Sequence, residues 1–339
     1  MIYVCNFYAH GKEAVSNEIE ILRKHTRGSL FAAGIFLDQL HLTKKDVREK
    51  RTIISEKDYQ RSLPGFIKAL PRKEPIHYFS EEPEPDKIAV FNSVSNDLYI
   101  TMYRRPNARY AAYLKKFAHI AKVFVELECH KDILNEHGLD PERIVVVPPP
   151  SILERSFSPR KFSGKFLFAS WNGGDAETLE KRGLIAILDI LSANTGVVCE
   201  IALRDKDTTR YRNVIWSRGL EKRMLLSDIH SRSSIRAAFQ RADAVFFLMK
   251  KKLTKDVPNS IIDGFSLGKP VLMTNVVDLA EEVKKHDLGW VIRPGEKFDV
   301  QKAAGAYQRK AKNAFFYSKE FAPQKYIART ISAYKAERV

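Results

Sequence analysis

The sequence is poor in cysteine and contains no long apolar run. Its 339 residues include three cysteines, Cys5, Cys129 and Cys199, which are far apart in the chain. This spacing predicts neither a disulfide framework nor a cysteine-bound metal, so we expect a reduced compartment, the cytoplasm. No apolar segment approaches the ~20 residues needed to span a bilayer, and no repeat of solenoid length is visible. A disulfide-rich secreted domain, a membrane-spanning protein and a solenoid are therefore excluded.

Short apolar runs alternate with helical patterns along most of the chain, beginning with a predicted strand at Ile2–Phe7 that lacks the basic segment of a leader peptide. Such alternation predicts parallel sheets with helices on both faces. A Pro- and Ser-rich linker, residues 151–164, divides the pattern in two. We therefore predict an α/β protein with two Rossmann-like domains facing across a cleft. They comprise residues 1–150 and 165–317, and a C-terminal helix at about 318–339 returns to the first domain.

Positive charge is concentrated in the second half of the chain. The net charge is +16, and the first 150 residues contribute only 23 Lys and Arg against 20 Asp and Glu. The remainder holds 34 against 21, a net of +13. This field suits an anionic ligand, either a nucleotide-sugar or a nucleic acid, and it is also compatible with a solubilising surface.

Four further segments carry predictions about local structure. Pro64–Lys73 is expected to be a loop with a short helix, and Ile88–Phe91 a short strand ending at Asn92. An apolar stripe predicts one helix over Pro106–Lys122, and Val214–Trp216 is expected to be a strand. The basic residues within 104–122 indicate either peripheral contact with the inner face of a membrane or an ordinary solvated face.

The segment Lys255–Leu272 has the most informative pattern, K-D-V-P-N-S-I-I-D-G-F-S-L-G-K-P-V-L. It predicts a polar loop, a short helix that ends at Gly268, and a buried strand. A helix N-terminus at the edge of a parallel sheet can bind phosphate, and a carboxylate such as Asp263 can accept hydrogen bonds from a ribose. Spacing alone favours an ordinary loop and helix with a polar Asp at its solvent edge.

Five motifs follow one another in the second half of the chain. They are G-L-D-P-E-R-I-V-V-V-P-P-P-S, S-F-S-P, K-R-G-L-I-A-I-L-D-I-L, K-D-V-P-N-S-I-I-D-G-F-S-L-G-K-P-V and G-W-V-I-R-P. From about Lys122 to the C terminus, this order resembles the retaining GT-B glycosyltransferases of group 1 (family 4-like), which include bacterial polysaccharide and lipid-linked sugar transferases. The resemblance implies a GT-B fold with the nucleotide-sugar donor on the second domain and the acceptor on the first.

The resemblance also implies roles for individual residues. Asp263 matches the second acidic residue of the family's E-x7-E motif, which holds the ribose. Arg182, with Lys181 beside it, matches the cation that neutralises the departing diphosphate. Asn259 and Ser260 match donors to the phosphates or the sugar.

The sequence departs from the family pattern at several positions. Lys255 stands where the first acidic residue of the E-x7-E motif belongs, and Asp256 is one place away. The loop S-W-N-G-G-D replaces the usual G-R, which makes Asn172 and Gly173 its candidate nucleotide-binding residues. Asn92-Ser93 takes the place of the family's first-domain histidine. We therefore expect His10 to be the better candidate near the reacting sugar, and His77 to be structural.

The function implied is transfer of a sugar from a UDP- or GDP-sugar to an unknown acceptor with retention of configuration. No other cofactor is expected. We also predict no catalytic metal, because Asp205-Lys206-Asp207 lies in a charged loop typical of a solvated turn. Two alternatives remain: a weak or inactive GT-B protein acting as a binding partner, motivated by Lys255, and a DNA-modifying glycosyltransferase, motivated by the basic second half.

Overall fold

The computed structural model describes residues 1–8, 14–34, 50–80, 83–158, 160–169, 180–203, 208–228, 231–252 and 254–336. The chain divides into two compact units, which we call unit 1 (Met1–Pro150 with Pro323–Val339) and unit 2 (Ser151–Ala322). The predicted linker, 151–164, groups with unit 2. None of the helices in the described ranges has the length and apolar character needed to cross a bilayer.

Unit 1 contains a sheet of seven strands that all pair in parallel. The strands are β1 (Ile2–Tyr8), β2 (Ser29–Gly34), β3 (Arg51–Ile54), β4 (Ile76–Ser80), β5 (Leu98–Met102), β6 (Ile120–Val125) and β7 (Ile144–Val146). Their order in the sheet is β3-β2-β1-β4-β5-β6-β7. The helices between them are α1 (Ala14–Thr26), α2 (Glu56–Lys68), α3 (Pro85–Asn92), α4 (Ala108–Leu114) and α5 (Glu128–Glu136).

Unit 2 contains a six-stranded sheet, also parallel throughout. The strands are β8 (Lys165–Ala169), β9 (Val198–Leu203), β10 (Met224–Asp228), β11 (Ala244–Phe247), β12 (Val271–Thr274) and β13 (Gly289–Ile292), in the order β10-β9-β8-β11-β12-β13. The helices are α6 (Leu184–Ala193), α7 (Thr209–Trp216), α8 (Arg232–Arg241), α9 (Asn259–Ser266), α10 (Leu279–Lys285), α11 (Val300–Ala304) and α12 (Tyr307–Tyr317). A final helix, α13 (Pro323–Lys335), follows unit 2 in sequence but belongs to unit 1.

Both faces of the unit 1 sheet are covered by packed helices. Apolar residues of α2 to α5 form one buried cluster with alternate strand residues such as Val4, Tyr78 and Ile100. Residues of α1 and α13 form the other cluster with Tyr3 and Phe79, which point to the opposite face. Strands buried on both faces explain the near-continuous apolar runs in the sequence.

Each sheet has a switch point, where the direction of winding reverses. After β3 the chain crosses to β4 on the other side of β1, and after β10 it crosses to β11 on the other side of β8. In open parallel sheets, ligands bind outside the carboxyl ends of the strands at such points. The topology therefore draws attention to the ends of β1 and β4 in unit 1, and of β8 and β11 in unit 2.

Three local predictions were wrong, and a fourth, for Pro64–Lys73, was right only in part, because the end of a longer helix precedes the loop. Ile88–Phe91 is helical, because Pro85 at the first turn starts α3 and a short apolar run does not distinguish helix from strand. Pro64 lies inside α2, which Ser55 caps by accepting a hydrogen bond from Asp58 N. Segment 106–122 contains α4, a turn and the start of β6, and Val214–Trp216 is the last turn of α7.

Candidate functional site

A glycine brings the predicted phosphate-binding residues to the switch point of unit 2. Gly183 has φ 97°, and a Cβ at this position would lie 2.1 Å from the carbonyl oxygen of Leu248, the residue after β11. Two residues further on, Lys250 N donates to the carbonyl of Lys181 at 2.9 Å. The structure therefore fixes Lys181 and Arg182 against the carboxyl end of β11.

Arg182 is half-buried at this point, and burial lowers the pKa of its guanidinium. Because an arginine keeps its charge in proteins, this position retains a partly desolvated cation. Lys250 adds a second charge, which pairs with Glu180 at 2.7 Å on the exposed rim. A poorly hydrated guanidinium beside a helix start is a suitable partner for a phosphate group.

Asp256 stabilises the loop from β11 to α9 from within the protein and is not accessible to a ligand. Asp256 is fully buried; its Oδ2 lies 2.5 Å from Lys252 Nζ, and its Oδ1 accepts a hydrogen bond from Asp278 N at 3.2 Å. These contacts stabilise the loop and leave no exposed oxygen. We therefore omit Asp256 from the proposed donor site, although the sequence made it a candidate for the sugar hydroxyls.

Asp263 is also buried, with 4% of its surface exposed. Its Oδ1 accepts hydrogen bonds from Ser151 Oγ at 2.7 Å and Ile152 N at 3.0 Å. Burial raises the pKa of this carboxyl to about 6, opposed by these hydrogen bonds and by the charge of Lys255. Asp263 thus fixes the first residues of unit 2 to α9, and its predicted contact with a ribose stays a prediction.

The N-terminus of α9 carries the two other predicted donor-site residues. Asn259 and Ser260 are both half-exposed, and Pro258 precedes them as the cap. The buried Oδ1 of Asn259 has no hydrogen-bond partner among the described residues. A helix start offers free backbone N–H groups, so this end of α9 can receive an anion.

Three of the predicted site residues cannot be placed. His10, Asn172 and Gly173 lie outside the described residues, as does the segment Asp205–Asp207.

In unit 1, His77 is fully buried on β4, with Nδ1 2.5 Å from Tyr334 Oη and Nε2 2.7 Å from Thr101 Oγ1. Burial lowers its pKa to about 3, so the ring is neutral and has a structural role.

The assignment of Asn92-Ser93 to the position after a first-domain strand was also wrong. Both residues end helix α3, since the segment before them is not a strand. The residue that follows the next strand, β5, is Tyr103, which is 2% exposed. The basic residues beyond it are exposed, and membrane contact through them stays a prediction.

Glu84 is a residue that the sequence analysis missed. It lies between β4 and α3, and its Oε1 accepts hydrogen bonds from Asn6 Nδ2 at 2.5 Å and Tyr78 Oη at 2.7 Å. Asn6 belongs to β1 and Tyr78 to β4, the two strands of the unit 1 switch point. The position of an acidic turn directly after a buried run, E-E-P-E-P-D, was the available signal.

No protein-family profile matches the sequence, and no curated protein is similar to it in sequence. Solved structures are similar over nearly the whole length. HepE from Anabaena, solved in complex with UDP, has a TM-score of 0.73 at 12% identity, covering 99% of this chain and 100% of that chain. A glycosyltransferase from Rickettsia africae has a TM-score of 0.70 at 15% identity, covering 99% and 97%.

The lipopolysaccharide outer core galactosyltransferase WaaB is also similar, with a TM-score of 0.65 at 12% identity, covering 99% of this chain and 100% of that chain. At such low identity these similarities establish the fold. The predicted fold class, GT-B with two Rossmann-like domains, is confirmed.

Proposed function

We propose that this protein is a glycosyltransferase that moves a sugar from a nucleotide diphosphate-sugar to an acceptor, with retention of configuration and without a catalytic metal. The observation that carries the proposal is the position of Arg182, a half-buried cation fixed at the switch point of unit 2. The fold adds support, because similar structures include HepE in complex with UDP-glucose.

The proposed chemistry depends on charge that develops as the donor bond breaks. Departure of the nucleoside diphosphate leaves negative charge on its phosphates, and a fixed cation stabilises that charge better than water does. Arg182 supplies this cation, with Lys181 and Lys255 as further positive charges. Asn259 and Ser260 supply donors at the start of α9, where the helix dipole favours a phosphate.

In this proposal Asp263 has a positioning role. Its hydrogen bonds to Ser151 and Ile152 hold the segment that runs beside α9. The helix proposed to receive the nucleotide is thereby fixed by residues that are distant in sequence. A direct contact between Asp263 and the ribose is an additional proposal that nucleotide binding by an Asp263 variant can test.

The experiment is to measure binding and hydrolysis of UDP-, GDP- and ADP-sugars by calorimetry and nucleotide release. We expect one base to be preferred, and Arg182→Ala to lower turnover by about 100-fold, the usual effect of removing one charge-stabilising donor. Activity should persist in EDTA, and NMR of the product should show the donor's anomeric configuration.

Arg218→Ala is the matched control. Arg218 is exposed, and its one ion-pair partner within the described ranges is Asp189 at 3.1 Å on the surface of unit 2. Its replacement should leave nucleotide binding unchanged. Failure of every nucleotide-sugar to bind at millimolar concentration would overturn the proposal.

A second candidate function is supported by Lys255, which cannot accept hydrogen bonds from sugar hydroxyls. A GT-B protein that has lost transfer activity and acts as a binding partner could have a lysine at this position, where the E-x7-E motif of active enzymes has an acidic residue. Lys255→Glu discriminates between the two. Gain of transfer indicates a decayed site, whereas loss indicates that the lysine serves the diphosphate.

A further inference from the structure

The carboxyl group of Glu84 is held by both strands of the unit 1 switch point, as described above. Because Asn6 and Tyr78 donate to the same oxygen, Oε1, they fix the orientation of the group without using Oε2. Such two-point support from rigid strands is the arrangement expected of a preorganised binding group.

The second oxygen has only a distant partner. Oε2 lies 3.5 Å from Nζ of Lys87, longer than the roughly 2.8 Å of a charge-assisted hydrogen bond. Lys87 has three N–H donors, and its two shorter hydrogen bonds go to Gln60 Oε1 at 2.5 Å and to Asp86 Oδ2 at 2.6 Å. The Glu84 side chain is 19% exposed, whereas that of Lys87 is 1% exposed. Among the described residues, Oε2 has no other hydrogen-bond or ion-pair partner, and a carboxylate oxygen has two lone pairs, so this group can still accept a hydrogen bond from a ligand.

The surroundings of Glu84 favour a neutral donor over a cation. Lys87 already supplies a buried counter-charge, so a bound ammonium group would compete with it. Burial raises the pKa of Glu84, and the hydrogen bond from Tyr78 and the charge of Lys87 oppose this effect. The titratable groups around it come from α2, β4, α3 and α4; they are Tyr59, Tyr78, Asp86, Lys87 and Tyr113.

We propose that Glu84, oriented by Asn6 and Tyr78, binds a hydroxyl group of a glycoside acceptor at the switch point of unit 1. This inference rests on the proposed function, because it assigns the acceptor of the same transfer reaction. The acceptor class is a polyhydroxylated, sugar-bearing molecule, since Oε2 would accept a hydrogen bond from a sugar hydroxyl as Oε1 does from the hydroxyl of Tyr78.

The proposal also predicts a pH dependence. A protonated Glu84 donates rather than accepts at its acid oxygen, so acceptor binding should weaken as the pH falls through the pKa of this carboxyl. Tyr78→Phe removes a donor that stabilises the carboxylate, and the midpoint of this pH dependence should therefore rise. A residue that merely braces α3 would produce no such shift.

The experiment uses the full chain with UDP and a panel of p-nitrophenyl glycosides of glucose, galactose, mannose and N-acetylglucosamine. Saturation-transfer NMR measures glycoside binding and calorimetry measures UDP binding. At neutral pH we expect at least one glycoside to bind, and Glu84→Gln to weaken its affinity by about ten-fold or more, the effect of losing a hydrogen bond to a charged group. UDP affinity should be unchanged, because Arg182 and α9 belong to unit 2.

Asp86→Asn is the matched control. It also removes a carboxylate from Lys87, but Asp86 is 66% exposed, and the hydrogen bonds of Asn6 and Tyr78 described above go to Glu84. This variant should bind the glycoside as the unmodified protein does. Equal glycoside affinity in the unmodified and Glu84→Gln proteins, an equal loss in Asp86→Asn, or no glycoside binding while UDP binds, would each overturn the proposal. Absence of UDP binding with glycoside binding intact would instead contradict the proposed function alone.

Discussion

The two sheets are wound in the same way, but their switch points carry opposite charge. In unit 1 the ends of β1 and β4 hold the carboxyl group of Glu84, and in unit 2 the residues after β11 contact the backbone on both sides of Arg182. The means of support also differ. Side-chain hydrogen bonds orient Glu84, whereas a close backbone contact at Gly183 positions Arg182. The comparison shows that topology selects the place where a ligand binds, and that a few residues then decide its chemistry.

Gly183→Ala is the substitution expected to have the largest effect, because it disturbs the backbone contact that positions Arg182 in unit 2. The new Cβ would meet the Leu248 carbonyl at 2.1 Å, and φ 97° is unfavourable for alanine. We expect a loss on the order of 3 kcal/mol in the free energy of unfolding, from combined overpacking and backbone strain. Nucleotide affinity should fall with it, because Arg182 moves.

Gly219→Ala is the control for this prediction. Gly219 also has positive φ, 63°, but nothing lies within 4 Å of the position of its Cβ. Only the backbone cost of about 1–2 kcal/mol applies, and nucleotide affinity should not change. Urea denaturation and calorimetry measure both quantities. Equal destabilisation by the two substitutions would show that the close contact is unimportant.

The next effect concerns Asp263, whose pKa is raised from 3.8 to about 6. Between these values the folded protein binds more protons than the unfolded chain, so stability falls as the pH rises through this window. The expected change is on the order of 3 kcal/mol. Asp263→Asn, which can still accept hydrogen bonds from Ser151 and Ile152, should lose this dependence.

Urea denaturation at about pH 4 and pH 7 tests this prediction. The two proteins should differ in slope with pH, and a parallel course would contradict the assignment to Asp263. If this residue positions α9 without contacting ribose, Asp263→Asn should also change UDP affinity less than about three-fold. A larger loss would favour the direct contact that the sequence predicted.

Lys255→Glu is expected to have a smaller effect. It reverses one positive charge at the switch point of unit 2. Lys255 lies in a half-exposed loop, where solvent partly screens the charge. If the lysine serves the diphosphate, donor affinity should fall about ten-fold, or 1.4 kcal/mol. Calorimetry with UDP at two salt concentrations measures it, and added salt should reduce the difference.

The smallest effect is expected at Gly65, within α2. Apart from its chain neighbours and the backbone of its own helix, no described atom lies within 4 Å of the position of its Cβ, and its φ is not positive. Gly65→Ala should therefore stabilise the protein by about 0.5–1 kcal/mol, because alanine loses less backbone freedom on folding. Loss of stability would mean that this glycine, like Gly183, is required by its surroundings.

The alternation of apolar runs and helical patterns was enough to predict the two parallel sheets. It was insufficient for Ile88–Phe91, where an apolar run of four residues fits a helix as well as a strand. It also failed at Phe117 and Ile120, which pack in one core with α4 although neither belongs to that helix. Phe117 and Ile120 continue the helical spacing of buried apolar residues, although the helix itself ends at Leu114.

The local backbone of the candidate site was predictable only where a glycine within a sequence motif marked a close contact. Gly183 directly precedes helix α6, as expected for the K-R-G motif, and it makes the close contact with Leu248 that only a glycine allows. The phosphate-binding roles of Lys181 and Arg182 stay predictions. The sequence predicted that Asp263 binds a ribose, whereas its carboxylate accepts a hydrogen bond from Ser151, 112 positions away. Glu84 was missed for a similar reason, since its partners Asn6 and Tyr78 become neighbours only through the order of the strands.

The place of α13 in the fold has a consequence for biosynthesis. Tyr334 contacts His77 across 257 positions in sequence, and both are buried in unit 1. A ribosome must therefore complete all of unit 2 before the last helix of unit 1 emerges. The first half of the protein is made first but matures last, and until then one side of its sheet is covered by α1 without α13 and is partly exposed to chaperones or to aggregation.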